Sequence, residues 1–473
     1  MSQKTTQNAT SAICIKCICI NASHSEDGLQ GPARPGRDWF QLAERLTAKG
    51  NAVFEDSTVH ESEAGTADPK AVALALLART IGKFEAAVLL LNNGYVVEAM
   101  TMTRCATDMH TFQIGPKTGA GVSWADAPEM QGPRLDRAPT HVAIAAAGSY
   151  LPGEPILTEE IEARIAALSP GLRLRRGLLR SLTGIETRHH LPDCMQASDL
   201  AVEAARRALD SAGASARDIE LLVWGSASQD LVEPATAHIV AAKLGLRCPV
   251  FDVKNACNSF LNGMQVATAL LRSGDYRSAL VVTGESPSRA IRWVVEDLKA
   301  FFESAAGYTM GDAGAALLLT RDPKVEGIFF QKFLAASDRW SLATLPGGGS
   351  MHPRGDEWSY FRGNAVQLRD AFLQIGTGLL TAALRGTGTA MEDFARIFCH
   401  QVTRPFIAPF CETTGIPPEK LVVTVAELGN IASATIPTQI ARAIEAGDVA
   451  RGDQLMCVGL AGGLSLGVTL LTF

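Results

Sequence analysis

Short apolar runs alternate with longer amphipathic segments from residue 141 to the end of the chain. Four apolar runs of strand length come first: 141–147, 220–224, 250–253 and 279–283. Segments in which apolar residues recur at helical spacing lie between and around them: 199–213, 234–244 and 257–272. Short buried strands that alternate with helices are typical of βαβ units. The pattern therefore predicts an α/β fold with a largely parallel sheet covered on both faces.

The same order of elements recurs in the last third of the chain. We predict a helix, a strand, a second strand that runs into a turn and a helix, and a last strand that ends in a glycine cluster: 368–384, 395–399, 421–425 and 454–458. This recurrence predicts an internal duplication, with one half over 139–325 and the other over 326–473.

Residues 1–138 differ in texture from the rest and are predicted to form a partly helical N-terminal extension, for which the sequence indicates no function. Apolar residues repeat at helical spacing from Asp68 to about Met109, and a linker rich in Gly, Pro and Ala follows. Cys14, Cys17 and Cys19 form a CxxCxC pattern without a second ligand pair nearby, so no zinc site is expected there.

Composition narrows the classes of function. Hydrophobic residues make up 47% of the chain and charged residues 19%, which is typical of a folded globular protein and not of a disordered one. The formal net charge of −6 implies no broad basic face, so nucleic acid is not an expected partner. No run reaches the roughly 18 apolar residues of a membrane span. The ten cysteines are scattered, which favours reduced thiols in the cytoplasm, and no metal centre is predicted.

Cys257 lies where a predicted strand ends, the chain turns and a helix begins. The start of a helix brings a partial positive charge and free backbone N–H groups to the sulfur, which favours the nucleophilic thiolate. Cys257 is therefore a candidate nucleophile. The alternative is a small buried core cysteine, the interpretation that we prefer for five others: Cys194, Cys248, Cys399, Cys411 and Cys457.

Two polar residues of the second half are further candidates. His400 ends a predicted strand, at the edge where open α/β sheets place their ligands, and it can donate a hydrogen bond to a developing negative charge or move a proton. Asn430 follows a predicted strand and begins a helix, and its amide can donate to an oxyanion without titrating. Plainer alternatives are a surface or core histidine and an asparagine that caps its helix.

Two glycine clusters, 311–316 and 459–467, complete the set of candidates. Glycines let backbone N–H groups approach a reacting carbonyl closely. Neither cluster matches a dinucleotide-binding or phosphate-binding loop, so a nucleotide site is not the favoured interpretation.

Taken in order, these motifs resemble one family across 139–473, the β-ketoacyl-acyl-carrier-protein synthases III, condensing enzymes of the thiolase superfamily. The resemblance rests on Ala147-Gly148-Ser149-Tyr150-Leu151-Pro152, Thr183-Gly184-Ile185 with Arg188, the Cys257 turn, Gly311-Asp312-Ala313-Gly314-Ala315, His400-Gln401, Gly429-Asn430 and the terminal glycine-rich strand. It implies a thiolase-like α/β fold in which duplicated βαβ halves form a layered α/β/α/β/α core. It also implies a homodimer.

The resemblance implies roles for individual residues. Cys257 would take an acyl group from a thioester, and His400 and Asn430 would stabilise the enolate-like oxygen formed when a malonyl-type extender loses CO2. The backbone N–H groups of Cys257 and of Gly462, or of its neighbour Gly463, would form the oxyanion hole. Acyl groups would arrive on coenzyme A or on the phosphopantetheine of an acyl carrier protein, with no other cofactor.

Substrate contacts are expected around the Thr-Gly-Ile motif, and the predicted substrate-binding residues are Arg180, Thr183 and Arg404. Arginines cluster before this motif, where an acidic carrier protein or the phosphates of coenzyme A can dock, although a solvated helix face is an equal alternative. The family usually has an arginine and an asparagine where this chain has Leu182 and Thr403. These departures favour substrates bound to a carrier protein.

Three functions are compatible with these residues. The first is a ketosynthase that forms a carbon–carbon bond by decarboxylative Claisen condensation, in fatty-acid or, as the substituted positions favour, specialised polyketide or lipid biosynthesis. The second is an acyltransferase of the same fold that moves the acyl group from Cys257 to an alcohol or amine. The third is a non-catalytic partner subunit, against which the presence of Cys257, His400 and Asn430 together argues.

Overall fold

The computed structural model describes residues 141–322, 325–363, 365–375 and 377–473. The predicted N-terminal extension and its three CxxCxC cysteines lie outside these residues. The described part contains two five-stranded sheets and two short two-stranded ones. The five-stranded sheets determine where the candidate residues lie.

The strands of the described residues are, in chain order, β1 (Val142–Tyr150), β2 (Ile156–Leu157), β3 (Thr187–Arg188), β4 (Leu222–Gly225), β5 (Val250–Val253), β6 (Ser278–Glu285), β7 (Ala313–Arg321), β8 (Ile328–Ala335), β9 (Ala343–Thr344), β10 (Arg362–Gly363), β11 (Phe394–Cys399), β12 (Leu421–Val422), β13 (Gln454–Ala461) and β14 (Ser465–Thr472). The helices are α1 (Thr158–Leu168), α2 (Leu178–Thr183), α3 (Ala197–Ala212), α4 (Thr236–Leu244), α5 (Ser259–Ser273), α6 (Leu298–Glu303), α7 (Ala365–Ile375), α8 (Gly378–Thr387), α9 (Ile407–Thr414), α10 (Val425–Leu428) and α11 (Thr435–Glu445).

The two large sheets have the same topology. The first has the order β1-β7-β6-β4-β5 and the second β8-β14-β13-β11-β12. If the strands of each sheet are numbered along the chain, both orders are 1-5-4-2-3. The predicted duplication is therefore confirmed at the level of topology.

The sheets are mixed and not largely parallel as the sequence suggested. Strands β5, β4 and β6 are parallel, as are β12, β11 and β13, but β7 and β14 run antiparallel to their neighbours. The reason for the antiparallel pairing is clearest at β13 and β14. A tight hairpin joins these two strands, and a hairpin can join only antiparallel strands. Strand β8 was not predicted, since Gln331 and Lys332 interrupt its apolar sequence and one side of it is partly exposed.

Alternate residues of each strand face different helical layers. In β4, Leu222 and Trp224 pack with α3 and α4 on the outer face, whereas Val223 faces α5 on the inner face. Helices α5 and α11 share the central core with both sheets, and α8 and α9 cover the outer face of the second sheet. The order of layers is thus helix, sheet, helix, sheet, helix, which confirms the predicted α/β/α/β/α core.

Two predicted elements of the second half are wrong in their bounds. The helix expected over 368–384 is two helices, α7 and α8, and the sequence at their junction is rich in glycine, a poor helix former. The strand expected over 421–425 ends at Val422, and α10 begins at Val425. The buried side chain of Gln401 causes this change, because its Oε1 accepts from the N–H groups of Thr424 and Val425 (3.0 and 3.1 Å) and so supports the start of a helix.

Candidate active site

Cys257 lies in a sharp turn between β5 and α5. The helix begins at Ser259, two residues later than the sequence suggested. Ala256 has a φ of 45°, in the left-handed region that side chains other than glycine rarely adopt. Ser259 secures the turn, because its hydroxyl donates to the carbonyl of Ala256 (2.6 Å) and accepts from the N–H of Asn255 (2.7 Å). The turn therefore holds Cys257 just before the N-terminus of a buried helix.

The sulfur of Cys257 is a thiol at rest. Burial of the sulfur and, to a lesser extent, the negative charge of Glu285 together raise the pKa of Cys257 to about 12, whereas hydrogen bonds from the backbone N–H groups of Gly462 and Cys257 oppose the shift. The sequence had indicated a thiolate favoured by the helix start, and that expectation is wrong because desolvation outweighs the helix effect. The two N–H groups at the sulfur are those that the resemblance assigned to the oxyanion hole.

Gly462 belongs to the tight turn that joins β13 to β14, and this turn is attached to the first half of the chain. The side-chain amide of Asn258 donates to the carbonyl and the hydroxyl of Ser465 (3.1 and 3.0 Å). Gly459 makes room for that amide, since a Cβ at Gly459 would lie 2.0 Å from Asn258 Oδ1. Asn258 follows Cys257 directly in the chain. The bonds between Asn258 and Ser465 therefore hold the glycine turn against the cysteine turn.

His400 follows β11 and is 4% exposed. Burial lowers its pKa to about 4, so the imidazole is neutral near pH 7, although a hydrogen bond with the backbone of Ala432 opposes the shift. Its Nδ1 lies 3.2 Å from Thr435 Oγ1, and that hydroxyl donates to the carbonyl of Ala432 (2.8 Å). Because the hydroxyl proton is directed at Ala432, this arrangement favours the tautomer in which Nδ1 carries the proton and the second ring nitrogen has the lone pair.

Asn430 has an amide whose orientation is fixed by its own backbone. Its Oδ1 accepts from the N–H of Ala432 (3.1 Å), which leaves the NH2 group as the part of the amide that can donate. Its main chain is held by Thr309 and Gly311, through bonds of 2.7 and 3.1 Å. The short 3-10 helix that follows is Ala432–Ala434 and Ile431 precedes it, so the expectation that Asn430 caps a helix is wrong. The donor interpretation stays a prediction, since the local turn uses the amide oxygen and leaves the nitrogen.

The first glycine cluster packs against Asn430 from the other half of the chain. A Cβ at Gly311 would lie 2.3 Å from the carbonyl of Leu428, and one at Gly429, where φ is 67°, would lie 2.7 Å from the carbonyl of Thr309. The N–H of Gly311 donates to Asn430, so it supports the loop and is not free for a reacting carbonyl. The two glycines permit the close approach of the two halves.

One segment, 430–435, links the candidate groups of the second half to the strand ends of the first. Asn430 opens it, and Ala432 and Thr435 contact the imidazole of His400. Between them Ser433 donates to the carboxylate of Glu285, the last residue of β6. Sequence analysis missed Glu285, although a carboxylate at the carboxyl end of a strand that is buried throughout was a visible signal.

Backbone strain is concentrated at these turns. Ala256, Ala432 and Leu464 are the non-glycine residues with positive φ in the described part of the chain, at 45°, 46° and 54°. Each lies within two residues of a candidate: the cysteine, the asparagine and the oxyanion-hole glycine. Such backbone conformations cost energy and cluster at functional sites. Their placement therefore supports Cys257, Asn430 and Gly462 as candidate site residues.

The predicted substrate-binding residues lie together but differ in availability. Arg180 is at the surface, where it pairs with Glu159 (3.2 Å) and a second glutamate. Arg404 is exposed and packs on Gly184 of the Thr-Gly-Ile motif. Thr183 is buried, and its hydroxyl donates to a carbonyl of its own helix (2.7 Å). The two arginines therefore remain candidates for contact with substrate, whereas the structure gives Thr183 a contact within the fold.

The other five cysteines were predicted to be buried in the core, and this prediction is confirmed for only some of them. Cys399, Cys411 and Cys457 are buried as expected, whereas Cys248 is half-buried and Cys194 is exposed, so the prediction for Cys194 is wrong. Within the described ranges there is no group of three or more His, Cys, Asp or Glu side chains placed to hold a metal ion. No helix of those ranges has the length and apolar character needed to cross a membrane.

Family profiles and relatives agree with this geometry. The profile described as 3-Oxoacyl-[acyl-carrier-protein (ACP)] synthase III matches residues 251–338, and its C-terminal counterpart matches 384–473. The Beta-ketoacyl-[acyl-carrier-protein] synthase III of Neisseria meningitidis serogroup C is 31% identical over 342 residues, which are 70% of this chain and 99% of that protein. The chain belongs to this family. It is a transferase of the condensing-enzyme type.

Two further relatives come from Xanthomonas campestris. A protein named Acyl-CoA:acyl-CoA alkyltransferase is 30% identical over 342 residues, 69% of this chain and 96% of that protein. A cysteine-to-serine variant of OleA, solved with bound lauric acid and lauroyl-CoA, is 29% identical and superposes with a TM-score of 0.64 over 70% of this chain and 99% of OleA. These similarities confirm the thiolase-like fold of the family.

Proposed function

We propose that this chain acylates Cys257 from an acyl thioester and joins that acyl group to a malonyl-type thioester by decarboxylative Claisen condensation. The observation that supports this proposal most is the chain of contacts that joins the Cys257 turn, the Gly462 turn and the 430–435 segment. Two backbone N–H groups bond the sulfur of Cys257. The 430–435 segment of the other half contacts a neutral imidazole and carries an amide whose oxygen is used by its own loop, which leaves the NH2 group to donate. This combination suits acyl transfer followed by stabilisation of an enolate.

In the acylation step, the sulfur attacks the thioester carbonyl and the carbon–sulfur bond to the carrier breaks. The thiol proton must leave, because burial keeps Cys257 protonated at rest. We assign the unprotonated ring nitrogen of His400 as its acceptor, and the departing carrier thiolate takes a proton from water. The N–H groups of Cys257 and Gly462 stabilise the tetrahedral oxyanion.

In the condensation step, the extender loses CO2 and the electron pair becomes the enolate of its thioester. The imidazolium of His400 and the amide of Asn430 donate to the enolate oxygen. The enolate carbon attacks the acyl group on Cys257, the sulfur leaves as thiolate, and His400 returns the proton to it. An asparagine suits this step because a carboxylate at the same place would repel the enolate.

Carriers and assembly complete the proposal. The acyl groups arrive on coenzyme A or on the phosphopantetheine of an acyl carrier protein, and no metal or other cofactor takes part. Arg404 is exposed beside Gly184, where its charge suits phosphates or an acidic carrier, and Arg180 can join it by exchanging its surface glutamate partners for the substrate. The chain acts as a cytoplasmic homodimer in polyketide or lipid biosynthesis.

The test is a product assay with defined thioesters. The purified chain is incubated with acyl-CoA or acyl carrier protein of several chain lengths, together with malonyl-CoA or malonyl carrier protein, and both the β-ketoacyl thioester and CO2 are measured. The proposal expects the two products in equal amounts. Absence of both with every donor would contradict it.

A second candidate is the joining of two acyl-CoA molecules, which the name of the alkyltransferase relative favours. In that reaction an α-proton leaves the second acyl group in place of CO2. A carbon–carbon product formed from acyl-CoA alone, without malonyl thioester, would select this reaction. Transfer to an added alcohol or amine, with neither CO2 nor a ketone formed, would select plain acyl transfer.

A further inference from the structure

Glu285 is a carboxylate with no exposed surface, and the proposed chemistry does not use it. It accepts hydrogen bonds from the N–H of Ala227 (2.7 Å), from the N–H and hydroxyl of Ser228 (3.2 and 2.8 Å) and from the hydroxyl of Ser433. Among the described residues, these partners are all neutral. A buried carboxylate without a cation is costly to keep, so its position indicates a specific use.

The bond to Ser433 joins the two halves of the duplicated fold. Glu285 ends β6 in the first half, and Ser433 lies in the 430–435 segment of the second. Ser433 Oγ also lies 2.8 Å from Thr283 Oγ1 and 3.2 Å from the carbonyl of Gly225, both at strand ends of the first sheet. The segment that carries Asn430 and contacts His400 is therefore held to the first half by this buried hydroxyl as well as by the backbone bonds of Asn430 to Thr309 and Gly311.

The same carboxylate also acts electrostatically on the sulfur of Cys257. Its charge adds to burial in raising the pKa of the Cys257 thiol. The other groups that act on the sulfur are the N–H groups of Gly462 and of Cys257 itself, which act in the opposite direction. His400, the titratable side chain that the 430–435 segment contacts, is neutral near pH 7 because burial lowers its pKa to about 4. Glu285 is thus the second cause, after burial, of the raised pKa of the Cys257 thiol.

We propose that Glu285 is a positioning residue that, through Ser433, holds the 430–435 segment of the second half against the strand ends of the first half. This inference rests on the proposed function for its effect on turnover. Its effect on the sulfur does not depend on that function. Two variants separate these effects: Glu285→Gln removes the charge and keeps the shape, whereas Ser433→Ala keeps the charge and removes the bond between the halves.

The first measurement is the rate at which iodoacetamide alkylates Cys257 as a function of pH, followed by peptide mass spectrometry. Removal of the charge lowers the pKa of Cys257. The profile of Glu285→Gln therefore moves to lower pH, and at a fixed pH below the midpoint a pKa lower by one raises the rate about tenfold. The exposed Cys194 is the reference within each sample. Glu203→Gln, a change at a surface glutamate that pairs with Arg206, is the matched control.

The second measurement is turnover. Ser433→Ala is expected to lower kcat roughly tenfold to a hundredfold, because the donors of the second half lose their fixed distance to the sulfur, while KM and the alkylation profile change little. Equal thermal melting curves with wild type establish that each variant folds. If Glu285→Gln does not fold, Ser433→Ala and Ser228→Ala, which removes one neutral donor to the same carboxylate, decide the proposal through kcat.

The outcomes are distinct. A Glu285→Gln profile that superimposes on the wild-type profile overturns the effect on the thiol, and wild-type kcat in Ser433→Ala overturns the coupling of the halves. A shifted alkylation profile in a protein that never forms an acyl-enzyme would support the effect of Glu285 on the sulfur and contradict the proposed function.

Discussion

The two halves of this molecule have the same sheet topology but contribute different chemistry. The turn after the third strand of each sheet carries Cys257 in the first half and Asn430 in the second. The end of the second strand carries Ser226 in the first half and His400 in the second, and the fourth strand ends at Glu285 and beside Gly462. Duplication thus supplied two equivalent sets of strand ends, of which one carries the candidate nucleophile and the other the candidate donors.

The turns at the two equivalent positions are also built differently. In the first half three residues, the last of which is the strained Ala256, separate β5 from the cysteine, and the helix follows at Ser259. In the second half the strand ends at Val422, and α10, held by Gln401, comes before Asn430. The position of the nucleophile is therefore set mainly by local structure, whereas the position of the amide depends on tertiary contacts.

Cys257→Ala, in the first half, is expected to have the largest effect on activity. Loss of the nucleophile should remove acyl-enzyme formation and lower product formation by about four to six orders of magnitude. Cys194→Ala, at an exposed cysteine, is the control and should retain wild-type rates. Product formation at more than about one hundredth of the wild-type rate in Cys257→Ala would mean that the nucleophile lies elsewhere.

The next largest effect is expected from Asn430→Ala. Loss of one donor to the enolate should lower condensation by about 10²–10³-fold while Cys257 still takes up the acyl group. Asn430→Asp should be at least as severe, because it places a negative charge beside the enolate. The acylated fraction, from intact mass, and the condensation rate are measured on the same sample. If Asn430→Ala slows acylation and condensation equally, the two halves do not contribute to different steps.

Gly311→Ala tests the contact between the halves and should act on stability as well as rate. The new Cβ would lie 2.3 Å from the carbonyl of Leu428, so the loop before Asn430 must move, at a cost of about 1–3 kcal/mol in the free energy of unfolding. Gly171→Ala is the matched control, since a Cβ there has nothing within 4 Å. Denaturant unfolding measures the free energy of unfolding of Gly311→Ala and of Gly171→Ala. Equal stabilities would show that the two loops are not tightly apposed.

The smallest effect concerns pH and the buried imidazole of the second half. In the folded chain the pKa of His400 is about 4, below its ordinary value of 6.5. As the pH falls through this window the unfolded chain takes up the proton first, so stability contributed by the neutral histidine above about pH 6.5 is lost. His400→Gln should therefore lose roughly 1–2 kcal/mol less than wild type on acidification from about pH 7.5 to 5.

The control for this experiment is His238→Gln, a change at an exposed histidine. Denaturant titrations at both pH values give the difference for each variant. A His400→Gln chain that loses as much stability as wild type would mean that His400 is charged in the folded protein.

The features that the sequence predicted are those with local signals. Alternation of apolar strands and amphipathic helices is visible in the order of residues, and so is a polar residue at a strand end, which is why the sequence alone makes candidates of Cys257, His400 and Asn430. The recurrence of elements likewise indicated the duplicated halves. The layered core follows from the family resemblance together with these periodicities.

The features that the sequence did not predict depend on contacts distant along the chain. The protonated state of Cys257 follows from burial and from Glu285, which α5 alone does not reveal. The early end of β12 follows from the side chain of Gln401 on a neighbouring strand. Strand β8 was missed because it is half exposed, and only its pairing with β14 identifies it as a strand.

The most direct test of the central claim, that the second half serves the sulfur of the first, is a single-turnover experiment. Wild type and Asn430→Ala are loaded with one acyl group, the malonyl thioester is added, and the acyl mass on the intact protein is followed with time. Rapid loss of the mass from wild type, and its persistence on Asn430→Ala, is the predicted result. Discharge at the same rate from both proteins, or an acyl group carried on a residue other than Cys257, would contradict it.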